Sequence, residues 1–247
     1  MDKIIKTLNG FSGSKVYLIE NSKRIFVRKI GNVDRNYERL LKLSEIGFNV
    51  PKIYNKTGEV LDIEYIQSLD MKTYLEHYSL EKLSLFLLDT LSKLSENKSE
   101  KDYSNIYKQK LEEIDFKKLP FGKQELLEKL PKKLPSSNYF GDLTLENVLY
   151  GIDEKFYLID CSTIEYDSYI FDIAKLRQDL RCKWFLRNHK TSLEVYCDKL
   201  ENNILTQFPE ANNDYFLILM LLRVYRHAKE NSFEQIFLLR EIEKLWK

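Results

Sequence analysis

The spacing of apolar residues changes near residue 67, and this change restricts the fold more than any other feature of the sequence. Before it, short segments rich in β-branched and aromatic residues are separated by Gly, Asn and Ser, which predicts strands. After it, apolar residues recur at helical spacing, as in the stripe Leu83, Phe86, Leu87, Leu91 and Leu94. We therefore predict an α+β chain with two lobes, a small antiparallel β lobe with one helix at 1–67 and a larger, mainly helical lobe at 68–247.

Three strands, one helix and one hairpin are predicted within the first lobe. In chain order they occupy residues 3–8, 15–20, 24–30, 34–47 and 52–66. Asp34 is expected to cap the start of the helix, and Gly47 is expected to end it. The hairpin is predicted to turn at Thr57 and Gly58.

The balance of charges and the use of cysteine argue against several classes of partner. Lys and Arg number 39 against 38 for Asp and Glu, so the chain lacks the basic excess expected of a nucleic-acid-binding or membrane surface. The three cysteines suggest neither a disulfide framework nor a metal cluster, which fits a reducing compartment. No apolar segment approaches the roughly 20 residues of a membrane span. We expect a cytoplasmic globular protein, and the sequence does not determine its oligomeric state.

The segment SSNYFGDLTLENVLYG, residues 136–151, interrupts the helical lobe with a polar loop and a strand. Asp142 precedes Asn147 by five residues, and Asp160 ends the next strand-like segment. A hairpin would bring Asp160 beside Asn147 at one end of two antiparallel strands. Phosphoryl transfer requires a carboxylate that accepts the proton of the attacking hydroxyl and oxygen ligands for Mg²⁺. Asp142 suits the first role, and the other two suit the second. Taken alone, such a loop equally fits residues that cap backbone groups.

The segments FGDLTLENVLY and FYLIDCSTIEYDSYIFDIAKL resemble the catalytic core of the aminoglycoside phosphotransferase and choline kinase family. The resemblance implies a protein-kinase-like fold with Asp142 as the catalytic base and Asn147 and Asp160 as Mg²⁺ ligands. It also implies that Asp172 is the acidic residue that supports the loop. The family signature begins His-Gly-Asp, whereas this chain has Phe140 at the histidine position. In the family this histidine generally hydrogen-bonds the backbone near the metal-binding aspartate, so a member with weakened or no activity stays open.

Two segments of the first lobe are candidates for binding the nucleotide phosphates. Backbone N–H groups of the first turn would approach the phosphates at Gly10, Ser12, Gly13 and Ser14. In RIFVRKI, strand alternation puts Phe26 and Arg28 on one face and Val27 and Lys29 on the other. If Phe26 stacks on adenine, Arg28 binds the phosphates, and if Val27 faces adenine, Lys29 does. The family resemblance favours Arg28, and a guanidinium suits bidentate binding of phosphate.

The remaining nucleotide contacts are expected from one helix and one crossing strand. Glu38 is the favoured helix partner of the phosphate-binding cation, with Glu45 as the alternative. The segment LDIEYIQSLD is predicted to connect the lobes. Backbone groups from Glu64 to Ile66 would then hydrogen-bond the adenine edge.

The sequence and the resemblance together indicate a kinase that moves the γ-phosphate of ATP, or of GTP, to a hydroxyl group of a small acceptor. A sugar, a choline-like alcohol and an aminoglycoside are the acceptors considered, and the first two are favoured because no dense acidic patch is evident. Acidic and aromatic candidates for a cationic acceptor are Glu165, Tyr166, Asp167, Tyr169 and Trp184. A basic helix that would suit an anionic sugar, or simply face solvent, carries Lys175, Arg177, Arg181 and Lys183. The alternatives are a nucleotide-binding pseudokinase or partner-binding module and, less well supported, a protein kinase.

Overall fold

The computed structural model describes residues 2–8, 14–188 and 193–246. By packing, the chain divides into two compact units. Unit 1 consists of Met1–Tyr78 and Glu146–Ile164, and unit 2 consists of Ser79–Leu145 and Glu165–Lys247. The strands concentrate in unit 1 and the helices in unit 2, so the predicted α+β class is confirmed.

The described chain contains the following strands and α-helices, each numbered in chain order. The strands are β1 (Lys3–Leu8), β2 (Lys15–Glu20), β3 (Ile25–Ile30), β4 (Ile53–Thr57), β5 (Val60–Glu64), β6 (Ser68–Asp70), β7 (Ser99–Asp102), β8 (Lys133–Ser136), β9 (Val148–Gly151) and β10 (Phe156–Leu158). The α-helices are α1 (Asp34–Ile46), α2 (Met71–His77), α3 (Leu80–Leu94), α4 (Ser104–Leu111), α5 (Lys123–Lys129), α6 (Tyr169–Leu180), α7 (Glu194–Gln207), α8 (Asp214–Tyr225) and α9 (Phe233–Leu245).

Unit 1 contains a five-stranded antiparallel sheet in the order β1-β2-β3-β5-β4. The central strand β3 pairs with β5 so that Arg28 lies opposite Asp62 and Phe26 lies opposite Glu64. Directly opposite residues share a face of the sheet, so Arg28 and Asp62 lie on the face that excludes Val27 and Lys29. The predicted hairpin at 52–66 is present as β4 and β5.

Helix α1 begins differently from the prediction and ends as predicted. Its N-cap residue is Val33, which makes no side-chain capping bond. The prediction that Asp34 caps the helix is therefore wrong, and its carboxylate instead pairs with Lys56 Nζ at 2.8 Å. Gly47 ends the helix in the left-handed region at φ 92°, a conformation that glycine adopts without a steric penalty.

A second sheet in unit 1 has the order β10-β9-β6. The hairpin formed by β9 and β10 is the one predicted from the two strand-like segments, with Val148 opposite Leu158. One residue beyond that pair, the N–H of Ile159 donates to the carbonyl of Asn147 at 2.9 Å. The hairpin packs within unit 1, although residues of unit 2 precede and follow it in sequence.

Unit 2 is built around α6, whose residues are all buried. Helices α3, α7 and α8 pack against it. Helix α8 contributes the apolar run from Phe216 to Leu222 to this core, so the most apolar segment of the sequence forms a buried helix. None of the helices in the described ranges combines the length and apolar character needed to cross a membrane.

Candidate active site

The loop that carries Asp142 is held in unit 2 by two carboxylates of α6. Asp172 accepts hydrogen bonds from the N–H groups of Phe140 and Gly141, at 2.5 and 2.8 Å. Seven residues further along α6, Asp179 accepts the N–H of Leu145 at 2.7 Å. Both carboxylates are buried, and residues seven apart lie on one face of a helix. The loop backbone is therefore fixed on both sides of Asp142.

Lys175 is a third residue on the same face of α6, and it pairs with Asp142 itself. Its Nζ lies 3.3 Å from Asp142 Oδ1. The lysine side chain is 9% exposed, whereas the Asp142 side chain is 38% exposed. A nearly buried cation thus orients a carboxylate that solvent and small molecules still reach. This geometry suits a general base, which must be fixed and yet accessible.

Phe140 occupies the position at which the resembling family has histidine, and it is fully buried. The loop is held at this point through the Phe140 N–H and Asp172, a contact that does not depend on the side chain at position 140. The support attributed to Asp172 from the resemblance agrees with its two hydrogen bonds. Asp179 and Lys175 were not singled out in these roles. Their spacing from Asp172, three and seven residues on a helix, is the signal that would have identified them.

In unit 1, Asn147 and Asp160 flank the open end of the β9–β10 hairpin. Asp160 adopts a positive φ of 59°. Residues other than glycine rarely adopt this backbone conformation, and such strain is concentrated at functional sites. The Asp160 side chain is 54% exposed and forms an ion pair with Lys29. The hairpin thus presents an exposed carboxylate, and its backbone pairing places Asn147 beside the residue that precedes Asp160.

This donor set fits Mg²⁺, which takes one or two protein oxygens together with water and phosphate oxygens. Asp160 offers a carboxylate and Asn147 an amide oxygen, an all-oxygen set that lacks the Cys and His ligands of structural zinc sites. Within the described part of the chain, no group of three or more His, Cys, Asp and Glu side chains is arranged to hold a metal. A metal at the hairpin would therefore need oxygens from a ligand as well.

The structure brings Lys29, not Arg28, to Asp160. Lys29 Nζ contacts Asp160 and also donates to Asn36 Oδ1 at 3.3 Å. Arg28 points from the other face of β3, where its Nε and Nη2 donate to the two carboxylate oxygens of Asp62 at 2.7 and 2.8 Å. Hydrogen bonding to Asp62 raises the pKa of Arg28 above its usual value. The preference for Arg28 as the phosphate cation therefore loses its geometric support.

Phe26 shares the Arg28 face and is only 4% exposed. The Arg28 guanidinium lies 5.2 Å from its ring centroid, so this ring packs in the unit 1 core instead of offering a surface for adenine. The open alternative, in which Val27 and Lys29 form the nucleotide face, is favoured. Sequence alternation separates the residues of a strand into two faces, but it does not show which face packs in the core. The sequence alone therefore did not decide between Arg28 and Lys29.

The helix partner expected for the cation is also different. Glu38 is exposed on α1. In the described chain, Arg28 forms ion pairs with Asp62 and Asp2, and Lys29 forms one with Asp160. Asn36 instead links Lys29 to the segment after Asp160, because its Nδ2 donates to the carbonyl of Cys161 at 2.7 Å. The residue of α1 that contacts Lys29 is thus an amide and not the predicted carboxylate.

The remaining predicted nucleotide contacts are placed only in part. Gly10, Ser12 and Gly13 lie outside the described residues, and Ser14 precedes β2. The N–H of Glu64 donates to the carbonyl of Lys52 at 2.8 Å, so this donor is already used. The carbonyl of Ile66 accepts from Ser68 Oγ at 3.1 Å. No backbone hydrogen bond found in the described ranges uses the N–H of Ile66.

The cysteine next to Asp160 is not a candidate nucleophile. Cys161 is buried, and burial raises the pKa of its thiol to about 12. Burial likewise raises the pKa of Cys182 to about 12 and that of Cys197 to about 11. Because the thiolate is the reactive form, all three thiols are poorly reactive at neutral pH.

The acidic residues considered for a cationic acceptor are engaged by lysines of unit 2. Glu165 pairs with Lys110 at 3.2 Å, and Asp167 pairs with Lys101 at 2.7 Å. Asp167 also accepts from Tyr103 Oη at 2.9 Å. The aromatic candidates Tyr166, Tyr169 and Trp184 are buried.

Neither a protein-family model nor a curated protein sequence matches the chain. Solved structures match it over almost its whole length. Choline kinase LicA from Streptococcus pneumoniae has a TM-score of 0.66 at 15% identity, covering 98% of this chain and 93% of that one. A thermostable mutant of the aminoglycoside phosphotransferase APH(4)-Ia has a TM-score of 0.70 at 10% identity, covering 97% and 92%. The chain has the fold of these small-molecule kinases.

A putative fructosamine-3-kinase from Haemophilus somnus 129PT shares the fold as well, with a TM-score of 0.62 at 14% identity. The match covers 100% of this chain and 91% of that one. The protein-kinase-like fold expected from the resemblance is therefore confirmed. At such identities the likeness concerns the fold, and the chemistry has to be argued from the side chains.

Proposed function

We propose that the chain is a Mg²⁺-dependent kinase that transfers the γ-phosphate of ATP, or of GTP, to a hydroxyl group of a small molecule. The observation that carries this proposal is the set of contacts that hold Asp142 and its loop in place. Its loop is held on both sides by Asp172 and Asp179, and its carboxylate is oriented by Lys175 while remaining partly exposed. A carboxylate that served only to cap backbone groups would not require this support.

In the proposed reaction, Asp142 accepts the proton of the acceptor hydroxyl as its oxygen attacks the γ-phosphorus. A positioned general base of this kind contributes roughly 10²- to 10⁴-fold to the rate. Lys175 keeps the carboxylate in the orientation that receives the proton. Asp172 and Asp179 act at one remove by fixing the loop backbone.

Residues of unit 1 are proposed to bind the nucleotide. Lys29 would contact its phosphates, and Asp160 and Asn147 would hold Mg²⁺. The metal, when bound, neutralises charge on the phosphate oxygens. Lys29 replaces Arg28 in this assignment because its ammonium lies at Asp160, whereas Arg28 is bound by Asp62. The face of β3 that carries Val27 replaces Phe26 in this assignment because Phe26 is buried.

The structural neighbours support nucleotide binding and a small acceptor. LicA has been solved in complex with AMP, and APH(4)-Ia has been solved as a ternary complex with AMP-PNP and hygromycin B. The fold is also found in an ethanolamine kinase from Plasmodium vivax. These neighbours are named as kinases or phosphotransferases of small molecules, which supports a small-molecule acceptor for this chain.

The test is the substitution Asp142→Asn, assayed by nucleoside diphosphate release with a panel of hydroxyl acceptors. We expect turnover to fall by about 10²- to 10⁴-fold while nucleotide affinity stays nearly unchanged, because the base contacts the acceptor. Asp89→Asn is the matched control, since Asp89 is exposed on α3 and, in the part of the chain that the structure describes, its ion pair is with Lys93 of the same helix. Full turnover in Asp142→Asn would show that the base has been assigned wrongly.

A nucleotide-binding protein without transfer activity is the alternative, and Phe140 is the observation that favours it. A buried phenyl ring replaces an imidazole that the resembling family retains. Nucleotide binding without diphosphate release for any acceptor would favour this reading.

A further inference from the structure

Two cations reach the loop that carries Asp142, in addition to the Asp172 and Asp179 carboxylates that hold its backbone. Lys175 lies 3.3 Å from the Asp142 carboxylate, and Arg223 Nη2 lies 3.5 Å from the carbonyl oxygen of the neighbouring residue, Gly141. Arg223 comes from the last turn of α8, so the two cations reach the loop from different helices. The guanidinium of Arg223 therefore contacts the residue next to Asp142.

In the described part of the chain, Arg223 has no carboxylate partner, unlike two other arginines of unit 2. Arg177 is paired with Glu201 and Asp214, and Arg226 is paired with Glu113. The contacts found for Arg223 within the described chain are the Gly141 carbonyl, the Met220 sulfur at 3.4 Å and the Tyr166 ring, whose centroid lies 6.0 Å from Cζ. None of these neutralises its charge.

A guanidinium has five N–H donors in a planar fork that matches the geometry of phosphate and carboxylate groups. The hydrogen bonds found for Arg223 use Nη1 and Nη2, with a sulfur and a distant carbonyl as acceptors. A half-buried cation with such weak partners gains more from an anion than a fully solvated one does. The side chain thus has both the charge and the donors to bind an anionic group.

A cationic acceptor would find carboxylates that already have partners. The carboxylates of Glu165 and Asp167, which follow the metal-binding segment, are already paired with Lys110 and Lys101. The carboxylates at the loop are engaged as well, Asp142 by Lys175 and Asp172 and Asp179 by backbone N–H groups. Electrostatic complementarity at Arg223 therefore favours an anion over a cation.

We infer that the acceptor is a hydroxyl compound that also carries a phosphate or carboxylate group, and that Arg223 binds this anionic group. The inference rests on the proposed function. In the reaction the acceptor hydroxyl gives its proton to Asp142 and its oxygen bonds to the γ-phosphorus. The bond from that phosphorus to the β,γ-bridging oxygen breaks, and the nucleoside diphosphate leaves with the electron pair. Arg223 determines which acceptors are bound and takes no part in the proton transfer.

The test uses four acceptors built on one sugar ring: glucose, glucosamine, glucuronate and glucose 6-phosphate. Diphosphate release is measured with each for the wild-type protein, for Arg223→Gln and for Arg240→Gln, a control at an exposed arginine of α9. We expect glucose 6-phosphate or glucuronate to give the highest kcat/KM, and the one preferred identifies the anion. Arg223→Gln should raise the KM for that acceptor by roughly 10- to 100-fold, the range that a charge-assisted hydrogen bond provides, with a smaller effect on kcat. Arg240→Gln should behave like the wild type.

Several outcomes would overturn the inference while leaving the kinase assignment intact. Preference for glucosamine or glucose in the wild type is one. An equal loss of kcat for all four acceptors in Arg223→Gln is another, because it would place Arg223 on the transferred phosphate.

If none of the four sugars reacts, anion binding itself decides. Inorganic phosphate is titrated calorimetrically into the wild type and into Arg223→Gln, each saturated with AMP-PNP and Mg²⁺. Phosphate binding that Arg223→Gln loses supports the inference, and equal binding in both proteins, or none in either, overturns it. Failure of the protein to bind AMP-PNP at all would contradict the proposed function instead, so the two failures are distinguishable.

Discussion

In the proposed mechanism, Lys175 orients the carboxylate that acts as the general base. Its ammonium is nearly buried and lies beside a carboxylate that is still accessible. Water would solvate the Asp142 carboxylate without fixing its direction, whereas the ammonium holds it in one orientation. The effect of Lys175 on transfer should therefore appear in turnover and not in nucleotide binding.

We predict that Lys175→Met lowers kcat by about 10- to 100-fold, the loss expected when a catalytic group is displaced by roughly 1 Å. The KM for the nucleotide should stay within about twofold of the wild type, because the lysine lies in unit 2 and contacts the proposed general base, Asp142. Lys175→Arg, which keeps the charge, should retain more activity than Lys175→Met. Steady-state kinetics measure both constants. An unchanged kcat in a folded Lys175→Met protein would remove Lys175 from the mechanism.

The adjacent residues Arg28 and Lys29 offer a test in which each variant is the control for the other. Lys29→Ala should weaken nucleotide binding by about tenfold or more, because it removes a charge-assisted contact to phosphate. Arg28→Ala should leave nucleotide affinity nearly unchanged. It should instead lower the free energy of unfolding by on the order of 2 kcal/mol, because Asp62 keeps a carboxylate that is 9% exposed and loses its bidentate partner.

Calorimetric titration measures the affinities for this pair, and denaturant unfolding measures the stabilities. The opposite pattern, with nucleotide binding lost in Arg28→Ala and kept in Lys29→Ala, would restore Arg28 as the phosphate cation and contradict the side-chain geometry.

At the scale of elements, α6 combines two tasks that usually belong to different parts of a fold. It is the buried centre of unit 2, and one of its faces carries Asp172, Lys175 and Asp179 toward the loop of Asp142. Burying charged groups costs free energy unless they are paired or hydrogen-bonded. Here each charge faces backbone N–H groups or the opposite charge, so the helix core and the site stabilise each other.

We predict that the loss of stability follows the number of loop N–H groups left unsatisfied. Asp172→Ala removes the acceptor of two buried N–H groups, and Asp179→Ala removes the acceptor of one. At about 1–3 kcal/mol for each unsatisfied group, Asp172→Ala should be the more destabilising of the two. Denaturant unfolding of both variants, with the exposed Asp89→Ala as the control, measures the difference. Equal losses would show that the hydrogen bonds are not what the two carboxylates contribute.

The sequence was informative wherever an element has its own periodicity. Strands β1, β2 and β3, helix α1 with its terminal Gly47, and the β9–β10 hairpin all lie where alternation and glycine placed them. Strands β7 and β8 were not predicted. They are four residues long, polar and paired across more than 30 positions, so neither strand has a local pattern that reveals its partner.

The candidate site could be proposed from the sequence only where its residues are close together along the chain. The spacing of Asp142, Asn147 and Asp160 is local, and it was readable. The choice between Arg28 and Lys29 was not, because it depends on which face of β3 the Asp160 segment approaches. Arg223 lies 81 positions beyond Asp142 in sequence, and only the packing of unit 2 brings it to the loop.

At the scale of the whole molecule, the chain combines a shared fold with side chains of its own. Solved small-molecule kinases cover it almost completely at identities of 10–15%. One fold can host many substrates, so the assignment of phosphoryl transfer depends on Asp142, Lys29, Asp160 and Asn147 and not on the likeness. The central claim is that the chain binds a nucleotide together with Mg²⁺ through Asp160.

The measurement that tests this claim most directly is a calorimetric titration of ATP and GTP, with and without Mg²⁺, into the wild type and Asp160→Ala. Glu20→Ala, at an exposed position of β2, is the matched control. We predict Mg²⁺-dependent binding of at least one nucleotide to the wild type and to Glu20→Ala, and loss of that binding in Asp160→Ala. Equal affinity in Asp160→Ala, or no binding of either nucleotide at millimolar concentration, would contradict the claim.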